Sequence, residues 1–554
     1  MRVCTIVFLL CAILTSCTST KTYPVYEIPS LSERTKAEIE SAIASGEPLK
    51  AIQELDAMKR EHPSDAGIED LEEDAIKKAV ELYEKSLAEK DYAKAVVIFR
   101  SAQNAGFAHR LSGLSETELL ISRARELYAG GSPVPALAMF RDLLENNRDH
   151  LSDDVIREIG FFALEERNTL LLKEVVAALT ERGVTPPEEL SKSLSAERPL
   201  SEVVKGTVTI WVNRGMKVQG GVGFPDRVIG SGFFIDKRGY LLTNYHVITS
   251  EVDPTYEGYS RLYVRLPGSQ DKIPARVVGW DRIFDIALLK VEYEPDFIFS
   301  FDTKEELDIG EKIFAIGSPG GLESTLTAGI VSATGRRFLQ IGDVIQVDVP
   351  INAGNSGGPL LDASGDLVGI VFAGIEQFEG INFAIPAHWV HNLLPSLYRG
   401  KEVLHPWVGL AVSEVEQGLE VLYVAKGSPA ERAGIHVSDI ITKVNGIEIK
   451  TIRNGQKEIL KDEIGTIIPL HFLRDGDAKD ALICLDSRPF SPIESALKID
   501  SRENLIYALF GMQIEEAGSS LAQKNYLIKK VYKGSVADET GLSVNDPLSI
   551  LSFQ

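Results

Sequence analysis

Near residue 190 the hydrophobic pattern of this chain changes period, and no single layer of structure can satisfy both halves. Over residues 31–190 apolar residues recur three and four apart, the spacing that draws one stripe along an α-helix. Past Pro186-Pro187 and a polar run over 191–198, short apolar runs alternate with glycines and polar turns, as in Val208-Thr209-Ile210-Trp211-Val212. That is strand spacing, of the kind that builds an all-β barrel or sandwich. An all-α part over 31–190, a linker over 191–199 and a β part must follow one another. The 554 residues are in any case too many for one core.

The helical part carries an internal rhythm. Ala51-Ile52-Leu55, Ala95-Val96-Phe99 and Ala136-Leu137-Phe140 each set a small residue four before a large one, at spacings of 95 − 51 = 44 and 136 − 95 = 41. The alanine lets two helices approach closely and the large side chain fills the groove between pairs. Helices over 155–166 and 169–180 are expected to supply a fourth pair. The pattern resembles tetratricopeptide-like helical hairpins, with an irregular period in place of the usual one of about 34 residues. Such arrays bind partner proteins on a concave face. A plain spacer, holding the rest of the chain off a membrane, is the other reading.

Chemistry concentrates in Gly354-Asn355-Ser356-Gly357-Gly358-Pro359-Leu360. Glycine admits backbone conformations closed to other residues. A Gly354-Asn355-Ser356 turn can therefore aim the N–H groups of Gly354 and Ser356 at one point beside the Ser356 hydroxyl, forming an oxyanion hole. Taken alone, the stretch reads equally as a glycine-rich turn with an incidental serine. His246, where the apolar run Leu241-Leu242 ends, offers a general base, since its ordinary pKa lies near neutrality. Asp285, at the entrance to the apolar strand 286–291, offers the acid that orients it; Asp281 is assigned to a solvated turn. The order His246, Asp285, Ser356, with gaps of 285 − 246 = 39 and 356 − 285 = 71, is the chymotrypsin-like order. Ile351, just before the nucleophile, is expected to line the side-chain pocket, with Val371, Phe372 and Ala373 on the opposite strand. No acid is evident there, which favours aliphatic over basic side chains.

Thr243-Asn244-Tyr245-His246-Val247, Asp285-Ile286-Ala287-Leu288-Leu289-Lys290-Val291 and the Ser356 heptad resemble the three catalytic blocks of HtrA-type (Do-like) serine endopeptidases. The resemblance covers about residues 200–487. It implies two six-stranded barrels over 200–400 with the triad in the cleft between them. The glycine-rich 213–230 reads as a mobile loop. A PDZ domain is expected over 404–487, in which Val408-Gly409-Leu410 resembles the carboxylate-binding loop. The block Gly427-Ser428-Pro429-Ala430 returns as Gly534-Ser535-Val536-Ala537, at an offset of 534 − 427 = 107, so 503–554 reads as a partial second PDZ-like segment. The family usually assembles as trimers through residues just before the barrel, a place held here by the helical region and its linker.

Composition bears on partners and compartment. A formal net charge of −22 supplies no electrostatic attraction to nucleic acid. Residues 1–16 read as a signal peptide ending in Leu14-Thr15-Ser16, and Cys17 then resembles the lipidated cysteine of a bacterial lipobox. Residues 17–30 form the tether, and Cys484 is left as a small buried apolar residue. The expected locality is the bacterial cell envelope, lipid-anchored and either periplasm-facing or at the outer membrane. Neither metal nor cofactor is called for. The function expected is membrane-tethered proteolysis of unfolded or specific protein substrates, in envelope quality control or regulated proteolysis. A chaperone or scaffold with a mostly latent protease domain is the competing expectation.

Overall fold

In a computed structural model of the chain, residues 31–549 are described, apart from 64, 66, 195–199, 302–306, 319, 321–324, 337–340, 375–380, 521–522 and 533–534. The lipidation candidate Cys17 and the leader lie outside the described residues.

The helical pattern resolves into four hairpins: α1 Leu31–Ala44 with α2 Pro48–Glu61, α3 Ile68–Ala88 with α4 Tyr92–Asn104, α5 Glu116–Ala129 with α6 Pro133–Asn146, and α7 Asp153–Glu165 with α8 Thr169–Glu181. Starts are set by side chains that accept otherwise orphaned N–H groups: Asp91 for α4, Ser115 with Glu118 as a capping box for α5, Ser152 for α7 and Asn168 for α8. Ala51, Ala95 and Ala136 are all fully buried where neighbouring helices cross. The expected fourth pair is α7 and α8.

The β part begins with β1 Thr207–Gln219, β2 Val222–Phe234, β3 Tyr240–Thr243, β4 Arg261–Arg265, β5 Ile273–Asp281 and β6 Ile286–Val291. Their order β5-β4-β1-β2-β3-β6 closes through β5 against β6. A second closed barrel, in the order β10-β11-β12-β9-β8-β7, follows from β7 Lys312–Gly317, β8 Thr325–Arg336, β9 Val344–Val347, β10 Pro359–Leu361, β11 Leu367–Gly374 and β12 Asn382–Pro386. Because successive strand residues face opposite ways, each barrel sorts neighbours into two cores. Phe234, Leu241 and Leu289 fill the first barrel, while Phe233, Leu242 and Leu288 turn out to meet Ile316, Ile370 and Trp389 between the barrels. That shared layer fixes the cleft.

The segment 213–230 is not the loop its glycines suggested. β1 and β2 run through it as an antiparallel ribbon, paired out to Gln219 and Val222. Gly220 and Gly221 form the turn at φ +59° and +79°, the double left-handed geometry of a two-residue type I′ hairpin.

After the barrels come β13 Leu410–Val415, β14 Gly418–Val424, β15 Ile440–Val444, α11 Ile452–Leu460, β16 Ile467–Arg474 and β17 Asp477–Cys484 (α9 and α10 belong to the barrels and are given below), with strands in the order β13-β14-β15-β16-β17. A second small sheet, β18 Met512–Ser520, β19 Gln523–Val531 and β20 Pro547–Ser549, repeats the local geometry. Gly409 at φ +89° abuts Ser428, and Gly511 at φ +68° abuts Ser535 in the same way. The second unit leans on the first through Leu505 and Ala496 against Tyr423, and through Tyr532 Oη donating to Glu420 at 2.6 Å.

The helices grip both partners. Ile467 and Cys484 are buried within the core of α1–α5. Gln53 of α2, fully buried, donates to Pro429 O at 2.7 Å and accepts from Cys484 N–H at 2.8 Å, while Asp56 accepts from Leu482 N–H at 3.1 Å. The outer edge of β17 is thereby closed by a helix rather than left open. On the barrel side, Arg141 of α6 donates to Phe301 O at 2.5 Å, and His391 Nε2 lies 3.2 Å from Asp142 Oδ1. Gln53→Ala leaves the buried Cys484 N–H unpaired and takes one of two donors from Pro429 O, which keeps the Ala433 N–H at 2.9 Å, and is expected to cost about 1–3 kcal/mol. Hydrogen exchange measures it: the Cys484 amide should lose protection while amides of β7–β12 keep theirs.

Candidate active site

Asp285 stands between β5 and β6 in the left-handed region, at φ +54°, a conformation Asp tolerates better than most residues. Asp281, at the end of β5, builds that turn. It accepts from the N–H groups of Ile283 and Phe284 at 2.8 and 3.0 Å, and its other oxygen lies 2.8 Å from His405 Nε2. Asp281 is therefore wholly buried rather than solvated. A carboxylate with no water needs such partners, and His405 arrives from the far end of the barrels, 405 − 281 = 124 residues later.

Held this way, Asp285 receives helix α9, Tyr245–Val252. Its backbone carbonyl accepts from Tyr245 N–H at 3.1 Å and from Asn244 Nδ2 at 2.8 Å. One carboxylate oxygen accepts from His246 N–H at 2.8 Å and the other lies 2.7 Å from His246 Nδ1. An ionised carboxylate only accepts, so Nδ1 carries the proton and Nε2 keeps its lone pair. His246 is half exposed and Asp285 buried, with side-chain exposures of 47% and 10%.

Ser356 comes from the second barrel, on the turn that leads into β10. The Ala353 carbonyl accepts from Gly320 N–H at 2.9 Å and the Asn355 carbonyl from Gly358 N–H at 3.0 Å. In a trans peptide the N–H points opposite to its carbonyl, so those of Gly354 and Ser356 face the other way. Neither has an acceptor among the described residues. Unspent N–H groups of this kind are what an oxyanion would require. Asn355 behaves differently from its neighbours: its N–H is spent on Asn352 O at 3.0 Å, and its side chain is wedged against Gly317. Asn355 therefore has no backbone N–H left to offer an oxyanion.

Ser231, between Gly230 and Gly232 on β2, was not singled out from the sequence and proves central. Its N–H donates to Ser356 O at 2.8 Å, its hydroxyl donates to Gly354 O at 2.6 Å and accepts from Ser318 N–H at 2.9 Å, and its carbonyl accepts from Thr243 Oγ1 at 2.8 Å. One buried serine of the first barrel thus holds the nucleophile turn of the second. The flanking glycines are the available signal, because they allow this approach: a Cβ on Gly357 would sit 2.4 Å from Ser231 O.

The Ser356 hydroxyl donates to Phe372 O at 3.4 Å, and no hydrogen bond joins it to His246. Phe372 is the bulged residue of β11, where pairing with β12 jumps from Val371 to Ala373. The Ser356 hydroxyl is thus engaged on the second barrel, while His246 is engaged on Asp285 of the first. Val371 is fully buried, Ile351 and Phe372 half-buried, and the side chain of Ala373 lies outside the described residues. Cys484 offers no second nucleophile, since burial pushes its thiol up to about 12.

In the following module the carbonyls of Val408 and Gly409 accept from Ala430 and Ala425 N–H at 2.9 and 2.8 Å. The N–H groups of Gly409 and Leu410 are turned to the opposite side. There β13 has an open edge, because among the described residues its one strand neighbour is β14. Helix α11 faces the barrels: Gln456 accepts from Gly342 N–H at 3.1 Å, and Arg453 pairs with Asp343 at 3.3 Å. Asp343 also accepts from Trp389 Nε1 at 2.9 Å, from helix α10, Ala387–Arg399.

Two substitutions separate these roles. Asp285→Asn keeps the shape but reverses the donor at Nδ1, and turnover should fall on the order of 10⁴-fold. Ser231→Ala loosens the nucleophile turn and should lower kcat by up to about 10²-fold with KM nearly unchanged. Steady-state kinetics on a peptide substrate reads both.

Comparison with known proteins agrees with this geometry. Residues 230–370 match a trypsin-like peptidase domain, 406–485 a PDZ domain, 493–554 a TP0546 family PDZ domain, and 30–119 a domain of unknown function, DUF8517. A probable periplasmic serine endoprotease DegP-like of Chlamydia pneumoniae is 31% identical over 337 residues, spanning 57% of this chain and 67% of that protein. One from Hahella chejuensis is 32% identical over 353 residues, 58% of this chain and 71% of the relative. Among solved structures, the HtrA-type protease AlgW with decapeptide is 26% identical, with a TM-score of 0.46 over 53% of this chain and 98% of that one. A chain that covers so much of these relatives and carries a trypsin-like domain followed by PDZ domains belongs to the DegP-like, HtrA-type family of serine endopeptidases.

Proposed function

We propose that this chain is an exported, lipid-tethered endopeptidase that cuts unfolded or specific protein chains beside aliphatic side chains. The observation that carries the reading is the His246–Asp285 couple facing a serine whose turn presents two unoccupied N–H groups. In the reaction Ser356 Oγ attacks the peptide carbonyl while His246 Nε2 takes its proton, and the imidazolium is steadied by Asp285. The Gly354 and Ser356 N–H groups take up the charge on the carbonyl oxygen, each such donor contributing about 3–4 kcal/mol. His246 then returns the proton to the leaving amine. Half-buried Ile351 gives the side-chain pocket an aliphatic wall, packed against the second barrel's core, in which Val371 is wholly buried and offers no lining.

The open edge of β13 and the N–H groups beside it suit capture of an extended chain with a free carboxylate. Names of the relatives support an envelope setting, and the Cys17 motif supports a lipid anchor. Among the described residues no helix is long and apolar enough to cross a membrane. Tetratricopeptide-like partner binding would use helix faces not already spent on the barrels and the PDZ module.

A second reading, a chaperone or scaffold with a latent protease, draws on one observation: the Ser356 hydroxyl rests on Phe372 O. Fluorophosphonate labelling of wild type and Ser356→Ala, with and without C-terminal peptides, decides between them. Labelling that requires Ser356 supports the enzyme, and none under any condition supports the scaffold. A peptide library should show aliphatic residues at the cut; a profile dominated by Lys and Arg would overturn the pocket assignment.

A further inference from the structure

The far half of the β1–β2 ribbon has no part in the chemistry described so far. Pairing of β1 with β4 stops at Asn213, and β2 meets β3 only at Phe233 and Phe234. From Val222 to Gly230 the outer edge of β2 has no strand beside it among the described residues. Met216, Val218, Val222 and Phe224 on this ribbon are 65, 71, 55 and 51% exposed. Strand alternation puts Met216 and Val218 on one face, and the register Lys217 to Phe224 puts Phe224 and Val222 on the other. An Arg214–Asp226 ion pair at 2.7 Å fastens the ribbon beside its bulge.

The root of the ribbon is the catalytic turn itself. Ser231 N–H bonds Ser356 O at 2.8 Å, and a Cβ added to Gly230 would stand 3.3 Å from the same oxygen. The open edge therefore starts at the nucleophile and runs outward for about 26 Å, at roughly 3.3 Å per residue.

We propose that this ribbon is a docking edge for an extended apolar stretch of the polypeptide being cut, lying beyond the residues held in the cleft. An unpaired edge offers alternating N–H and C=O groups that an extended chain can match as an added strand. Apolar side chains on both faces then hold the apolar side chains of that chain, whichever way they point. A bilayer fits less well, since hydrocarbon cannot satisfy the edge's backbone groups. Continuity with the Ser356 turn is what selects substrate over an unrelated partner. The proposal rests on the endopeptidase reading, and it implies dependence on length: peptides that fill the cleft alone gain nothing from the ribbon.

The test compares the ribbon of the native sequence with a variant carrying M216S, V218S, V222S and F224S, all exposed positions. In a Ser356→Ala background, binding of a fluorescein-labelled, reduced and carboxymethylated unfolded protein should weaken about tenfold or more. In the active enzyme, kcat/KM for a short chromogenic peptide should stay the same while that for the unfolded protein falls. Unchanged binding overturns the proposal, and so does an equal fall for short and long substrates, which would make the ribbon part of the cleft's own fold. Cosedimentation with phosphatidylcholine vesicles that the variant loses would assign the ribbon to a bilayer instead. Concentration-dependent sedimentation that the variant loses would assign it to a second copy of the chain. Failure of the native sequence to hydrolyse either substrate would count against the endopeptidase reading, while the binding comparison would still decide the docking edge.

Discussion

The candidate active site depends on the contact between Ser231 and the turn that bears Ser356. The proposed acid and base, Asp285 and His246, belong to the first barrel and the proposed nucleophile to the second, so the candidate site exists only while the barrels keep one mutual position. The apolar layer of Phe233, Leu242, Ile316 and Ile370 holds them together, but apolar contact is non-directional. Ser231 adds direction, because its N–H, hydroxyl and carbonyl are each committed at 2.6–2.9 Å to a different group around the cleft. A buried polar cluster in which every member is satisfied defines a single arrangement where an apolar layer alone permits several.

Much of this was legible in the residues. The chymotrypsin-like order of His246, Asp285 and Ser356 and the glycines around Ser356 point to a candidate site because such chemistry needs those groups at short range whatever the fold. The change of period near residue 190 separates helix from strand because side-chain spacing is a local property. Residues whose role depends on a distant partner were not legible. Asp281, beside Arg282 in a polar stretch, looks solvated until His405 is placed against it. Ser231 looks like filler between glycines until Gly354 O arrives from 354 − 231 = 123 residues away. The 213–230 segment misleads for a local reason: glycine disrupts the strand pattern wherever it occurs, yet Gly220-Gly221 is the very pair that a tight hairpin turn demands.

The helices turn out to be more than an appendage. Gln53, Asp56, Ser101 and Asn104 all bond backbone groups of the PDZ module, and Arg141 does so on the barrel. Side chain to backbone bonding of this kind reads shape more than sequence identity. The PDZ module is held from one side by α2 and α4 and touches the barrels from another through Arg453 and Gln456. Its groove edge at β13 is the side left open, so the same placement that fixes the module also presents it.

The closing of β17 by α2 carries a consequence for how such a chain can be divided. Sequence comparison draws a PDZ domain at 406–485, but the last strand of that domain has its edge satisfied from residues near 53. Cut free at those limits, the fragment would expose Ile467 and Cys484 together with an unpaired strand edge, the features that drive chains to stick to one another. The stretch that the comparison draws and the stretch that satisfies this edge are thus different lengths of chain. For this protein the helices written more than three hundred residues earlier supply the partners of that edge, so a piece meant to keep it closed has to include them.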